Sequence, residues 1–186
     1  EVDQKVFDSI VVVTDRRVLD QQLQNTIYQF EHKQGVVVRI KEGEAKSTQL
    51  ADALEHAAPI IITTLQTFPF VTEKISTLPE RRYAVIIDEA HSSQGGHSST
   101  DLKKVLGGAA LEKAAALAAE DEDLTDQDLA IFATMLARGR QPNISFFAFT
   151  ATPKYKTLEV FGTAGPNGKP LPFHLYSMRQ AIEEGF

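Results

Sequence analysis

A chain of 186 residues, 42% hydrophobic and 24% charged, is long enough for one globular domain with a real core and too short for two ordinary ones. Having no cysteine, it excludes disulfides and thiolate metal sites and fits a reducing cytoplasm. Its net charge of -6 opposes long-range attraction to a polyanion, so any nucleic-acid contact must be local; there is no signal peptide and no uncharged apolar run long enough for a bilayer, so no membrane partner is expected.

The run Ser9-Ile10-Val11-Val12-Val13-Thr14 is short, continuous and β-branched, which suits a strand buried on both faces of a parallel sheet. Asp15 can cap a helix after it. Val18, Leu19, Leu23, Ile27 and Phe30 then recur at roughly helical spacing until Gly35 stops the pattern, and residues 36–40 return to strand character. The spacing predicts a second helix over residues 46–57 and a strand over residues 59–63. A third helical piece falls near residues 70–76, and a fourth strand runs through Val85, Ile86 and Ile87 into Asp88.

Residues 92–99 are polar and glycine-rich, as in a loop. Residues 109–119 are alanine-rich and favour helix, and Thr125 with Asp128 makes a capping-box-like start to a helix running through Met135. Residues 100–140 therefore read as a helical insertion, whose acidic stretch 120–123 is a solvated face without assigned function. The last core strand is residues 144–149. Strands alternating with helices predict an α/β fold, a parallel sheet with helices on both faces, right-handed crossovers, and ligands beyond the carboxyl ends of the strands.

The chemistry concentrates at those ends. Asp88 and Glu89 close the fourth strand, followed by Ala90 and His91. A hydrated Mg²⁺ needs a hard oxygen ligand, and water attacking a phosphoryl group needs a base and an orienting partner; this acid pair can supply both. Thr150-Ala151-Thr152-Pro153 ends the last strand in the same way. Its hydroxyls either start a plain turn or bond a neighbouring carboxylate or histidine, with His91 the obvious partner, and the acid pair favours coupling. Thr14-Asp15-Arg16-Arg17 and Thr63-Thr64-Leu65-Gln66 stand at two further strand ends, where hydroxyls, amides and an arginine either hold phosphate oxygens or cap helices.

Other chemistries lack support. His32, His56, His91, His97 and His174 show no zinc-ligand spacing, and no Gly-x-Ser-x-Gly elbow is present. The glycine-rich phosphate loop of a nucleotide motor is also missing: Lys46-Ser47 follows Ala45, and Gly168-Lys169 is followed by Pro170. The chain opens at Glu1 without an initiator methionine, as a piece of a longer protein would, with that loop expected upstream.

In order, Thr-Asp-Arg, Thr-Thr-Leu-Gln, Asp-Glu-Ala-His and Thr-Ala-Thr resemble motifs Ia, Ib, II and III of superfamily 2 helicases. The longer strings Val11 to Arg16 with Asp20-Gln21-Gln22-Leu23, Asp88 to Gly95, Phe149 to Lys154 with Thr157-Leu158 and Phe161-Gly162, and Tyr176 to Phe186 resemble the motor subunit of type I restriction enzymes. The resemblance implies a partial first RecA-like motor lobe across residues 1–186, without the second lobe and nuclease domain, belonging to an ATP-dependent translocase that pulls double-stranded DNA and cleaves it. It implies ATP and Mg²⁺ as cofactors, methyltransferase and specificity subunits as partners, and a bacterial or archaeal cytoplasm. Asp88 would hold Mg²⁺ through water, Glu89 would orient and deprotonate the attacking water, and His91 with Thr150, Ala151 and Thr152 would couple nucleotide to DNA movement. Thr14, Asp15 and Arg16, with Thr63, Thr64 and Gln66, would touch the sugar-phosphate backbone. Taken alone, the 186 residues are expected neither to hydrolyse ATP at a useful rate nor to cut DNA. The rival readings are a superfamily 2 translocase of type III restriction or DNA repair, and a non-catalytic module that kept the fold after losing ATP chemistry.

Overall fold

The computed structural model describes residues 4–14, 36–40, 45–64, 67–88, 108–120, 126–138 and 141–185. They fall in two compact units, residues 1–151 and 152–186. The first is an α/β, RecA-like unit built on a five-stranded sheet. Its elements run β1 (Ser9–Thr14), β2 (Val37–Arg39), α1 (Lys46–Glu55), β3 (Ile60–Thr64), α2 (Phe68–Ser76), β4 (Tyr83–Ile87), α3 (Gly108–Glu120), α4 (Asp126–Arg138) and β5 (Ile144–Ala148). The strand order is β2-β3-β1-β4-β5, and every pairing is parallel. The helix expected over Val18 to Phe30 lies outside the described residues.

The centre of the sheet is dictated by its β-branched runs. β1 pairs residue for residue with β3 on one side and β4 on the other, so Val11 stands between Ile61 and Val85 and is fully buried with them. Side chains alternate between faces along each strand. In the row of Val11 and Val85, Phe146 meets Phe68 of α2 edge-on at 6.2 Å, which identifies that face as the one α2 covers. Phe147, one residue on, turns to the opposite face and meets Phe7 at 6.3 Å.

The covering helices each bury a stripe. α1 buries Leu50, Ala53 and Leu54, and α2 buries Phe68, Val71, Thr72 and Ile75, both at helical spacing. α2 packs against α1 on one side and α4 on the other, and α4 packs against α3. In α4 the consecutive residues Leu129 to Thr134 are all buried, so the helix is enclosed nearly all round. Both helices expected in the 100–140 segment thus form, and α4 is part of the layer that covers the sheet.

Two boundaries differ from the sequence expectation for local reasons. α1 ends at Glu55, not at residue 57, because Ala57 adopts φ 50. The Ala58 N–H then reaches the Ala53 carbonyl at 3.0 Å and the Ala57 N–H reaches that of Leu54 at 3.2 Å, closing the helix in the manner of a Schellman motif. α2 begins at Phe68, two residues before the expected start, with Pro69 in its first turn, where a missing N–H costs nothing.

The second unit contains α5 (Tyr155–Phe161), the antiparallel strands β6 (Thr163–Ala164) and β7 (Pro170–Leu171), and α6 (Met178–Glu184), none of which the sequence reading identified. The hairpin turns through Pro166-Asn167-Gly168, with Gly168 at φ 72. Gly162 follows α5 where an added Cβ would press against the backbone oxygens of Leu158 and Leu171. α6 buries no residue and is fixed by local bonds instead. Ser177 and Gln180 form a reciprocal capping box, and Gly185 ends the helix at φ 85.

Candidate functional site

The carboxyl-terminal edge of the sheet brings part of the expected constellation together. The Asp88 N–H donates to the Val13 carbonyl at 3.1 Å, and the Phe149 N–H donates to the Ile87 carbonyl at 2.9 Å. These bonds close the last registered pairs, Val13 with Ile87 and Ile87 with Ala148. Asp88 and Phe149 follow β4 and β5 directly, Thr14 and Thr64 are the paired ends of β1 and β3, and Thr150 comes next in the chain. Glu89, His91, Asp15, Arg16 and Gln66 lie outside the described residues.

Burial divides the hydroxyls of this edge. Thr14 is 1% exposed and Thr63 2%, whereas Thr64 is half-buried. Neither the Thr14 nor the Thr63 hydroxyl has a hydrogen-bond partner among the described residues, and the same holds for Thr67, 2% exposed at the start of α2. A buried polar atom left unpaired costs about 1–3 kcal/mol, so such groups cluster where something other than stability is served. Thr67 was not among the expected site residues. Its signal was present in Thr67-Phe68-Pro69, a hydroxyl residue two positions before a proline at a helix start.

Asp88 is half-buried, Thr150 partly buried, and Ala151 and Thr152 exposed. Asp88, Thr150 and Thr152 each hold an interaction with a neighbouring group. Thr150 and Ala151 belong to the first compact unit and Thr152 to the second. Among the described residues no three histidine, acidic or cysteine side chains gather as a metal cage. A small, strongly hydrated ion such as Mg²⁺ keeps several waters and takes only one or two carboxylates alongside substrate phosphates, and Asp88 is an oxygen donor of that kind. No helix among the described residues is long and apolar enough to cross a membrane.

The profile of the SWI2/SNF2 ATPases matches residues 3–118, well over half of the chain. The chain belongs to the SWI2/SNF2 ATPase family. It is a superfamily 2 helicase-like ATPase, and membership implies use of ATP. The matched span of this SWI2/SNF2 ATPase takes in β1 to β4, the acid pair and most of α3, whereas β5, Thr150 to Thr152 and the second unit follow it. No curated protein matches the chain.

Proposed function

We infer that this SWI2/SNF2 ATPase serves as the DNA-translocating motor subunit of a type I restriction system, coupling ATP hydrolysis to movement of double-stranded DNA before cleavage. The observation that carries the reading is that Asp88 directly follows β4 at the carboxyl edge of a parallel sheet, the edge at which α/β folds bind their ligands. The restriction assignment is supported by the strings at 11–16, 20–23, 88–95, 149–154, 157–158, 161–162 and 176–186. Methyltransferase and specificity subunits are the proposed partners, and a bacterial or archaeal cytoplasm the proposed setting.

When bound, Mg²⁺ offsets negative charge on the transferring phosphoryl group. Asp88 would hold the ion through its water shell. Glu89 orients the attacking water and accepts its proton. His91 and the Thr150-Ala151-Thr152 stretch report the state of the nucleotide to the DNA-gripping segments. Those segments are residues 14–16 and 63–66, in which Thr64 is a described hydroxyl open enough to reach a phosphate.

In the full-length protein, Glu89→Gln should lower ATP turnover at least about 100-fold while leaving nucleotide binding in place. Retained turnover would remove Glu89 as the base. Purification with a methyltransferase and a specificity subunit supports the restriction reading. Purification without them, with DNA-stimulated ATPase intact, moves the protein to a type III restriction or repair system.

A further inference from the structure

We propose that Arg39, the last residue of β2, is a further contact to the sugar-phosphate backbone of DNA, its guanidinium supplying a cation beside the hydroxyls of the neighbouring strand ends. The inference rests on the reading of residues 14–16 and 63–66 as the DNA-gripping segments, and it extends that grip to a strand with no role so far.

Strand order comes first. β2, β3 and β1 are consecutive neighbours across the sheet, and β4 and β5 follow on the far side. Asp88 and Thr150, read as serving the nucleotide, come after β4 and β5, whereas the segments read as touching DNA lie at the ends of β1 and β3. β2 is therefore the outermost strand of the DNA half, and Arg39 is its charged residue.

Register then fixes the face. Arg39 pairs with Ile62, Ile62 with Val12, Val12 with Ile86 and Ile86 with Phe147, one row through all five strands. Phe147 emerges on the face opposite α2, so Arg39 does too. Thr64 and Thr14 are paired two positions further along β3 and β1, on that same face. At about 3.3 Å per residue and 4.8 Å between strands, the backbones at Arg39 and Thr64 stand about 8 Å apart.

Exposure and charge complete the case. Arg39 is exposed, between the half-buried Val38 and the buried Ile40. Thr14 and Thr63 are buried and Thr64 half-buried, and none of the three carries charge. A chain of net charge -6 needs a local cation to hold a polyanion. At the amino-terminal end, by contrast, Lys74 pairs with Glu55, Arg81 holds the carbonyls of Leu54 and Glu55, and Arg82 holds that of Lys5. Arg39 too holds an interaction with a neighbouring group. A guanidinium presents five N–H donors in a planar fork, enough to keep a protein partner and meet a phosphate as well. The rival role for a charge on an outer strand is to keep that strand from pairing with another chain.

The test measures binding of full-length protein to two labelled duplexes of unrelated sequence, without nucleotide, across a range of salt. Arg39→Gln should weaken both duplexes equally, by roughly tenfold, and lower the slope of log affinity against log salt by about 1. Arg39→Lys should keep the wild-type slope, and Lys74→Gln should bind as wild type. Wild-type affinity and slope in Arg39→Gln, a loss for one duplex alone, or an equal loss in Lys74→Gln would overturn the assignment. Self-association of Arg39→Gln with DNA affinity intact would overturn it in favour of the edge-guarding role. Should Arg39→Gln not fold, the unmutated protein decides: bound duplex should shield Arg39 from an arginine-selective dicarbonyl reagent, read by mass spectrometry, and no shielding refutes the contact. If the wild type binds neither duplex, the DNA reading itself fails; if it binds both and Arg39→Gln matches it, the arginine assignment alone fails.

Discussion

At the amino-terminal end of the sheet, long polar side chains are committed to backbone carbonyls, whereas at the carboxyl-terminal end short hydroxyls are buried and left waiting. Arg81 donates to the carbonyls of Leu54 at 2.5 Å and Glu55 at 2.8 Å, covering the end of α1. Asn143 bridges the carbonyls of Leu78 and Arg81, and the Arg82 N–H donates to the Asp8 carboxylate at 2.8 Å. Ser9, Tyr83 and Gln141 leave buried oxygens unpaired at this end too, but no acid pair stands beside them. Thr14 and Thr63 lie at the opposite end, where β4 runs out into Asp88. The difference is one of partners: side chains anchor connections at one end, and at the other the sheet runs out into Asp88 beside buried hydroxyls.

The comparison breaks most visibly through Glu89→Gln. Its loss of at least about 100-fold in turnover should come with an unchanged unfolding midpoint, and a large drop in stability would show that the carboxyl end also holds the fold together. Arg81→Ala should do the reverse. Losing two charge-assisted bonds, one of them partly buried, should cost about 1–2 kcal/mol in denaturant unfolding while leaving ATP turnover per folded molecule unchanged.

Tyr83 sharpens the picture through pH. Burial raises its phenol above the ordinary value, with the Arg81 guanidinium pulling the other way. The neutral phenol's contribution is therefore fully present below about pH 10 and is lost as pH rises through the raised folded value. Tyr83→Phe should flatten this alkaline decline in the denaturant midpoint; an equally steep decline in the variant would place its origin elsewhere. The smallest effect is expected at Ala57, where φ 50 suits glycine better than alanine. Ala57→Gly should stabilise the protein by about 0.5–1 kcal/mol in the same measurement, and a loss of stability would mean that the Cβ packs favourably.

The five strands were legible because short continuous apolar runs, most of them β-branched, have few other uses. Helix ends were harder. Alanine is the best helix former, so nothing in Ala57-Ala58 announces a stop, and only the closing bonds to Ala53 and Leu54 reveal one. The second unit escaped notice because helices of seven residues and strands of two carry too little periodicity. Pro166-Asn167-Gly168 and the Ser177 to Gln180 spacing did mark it. At the site, Asp88 was readable from an apolar run that stops on carboxylates. The burial of the Thr14 hydroxyl was not, since it depends on β3 and β4, some 50 and 70 positions away in the chain.

The unbroken pairing of β1 on both sides sets how this chain can vary. Substitutions within it exchange one side chain for another, but deleting a single residue would turn every later position over. Thr14 would swing into the greasy layer under α2 and Asp15 would move into the place it leaves. Length changes should therefore be confined to the loops, with the central strand accepting replacements alone.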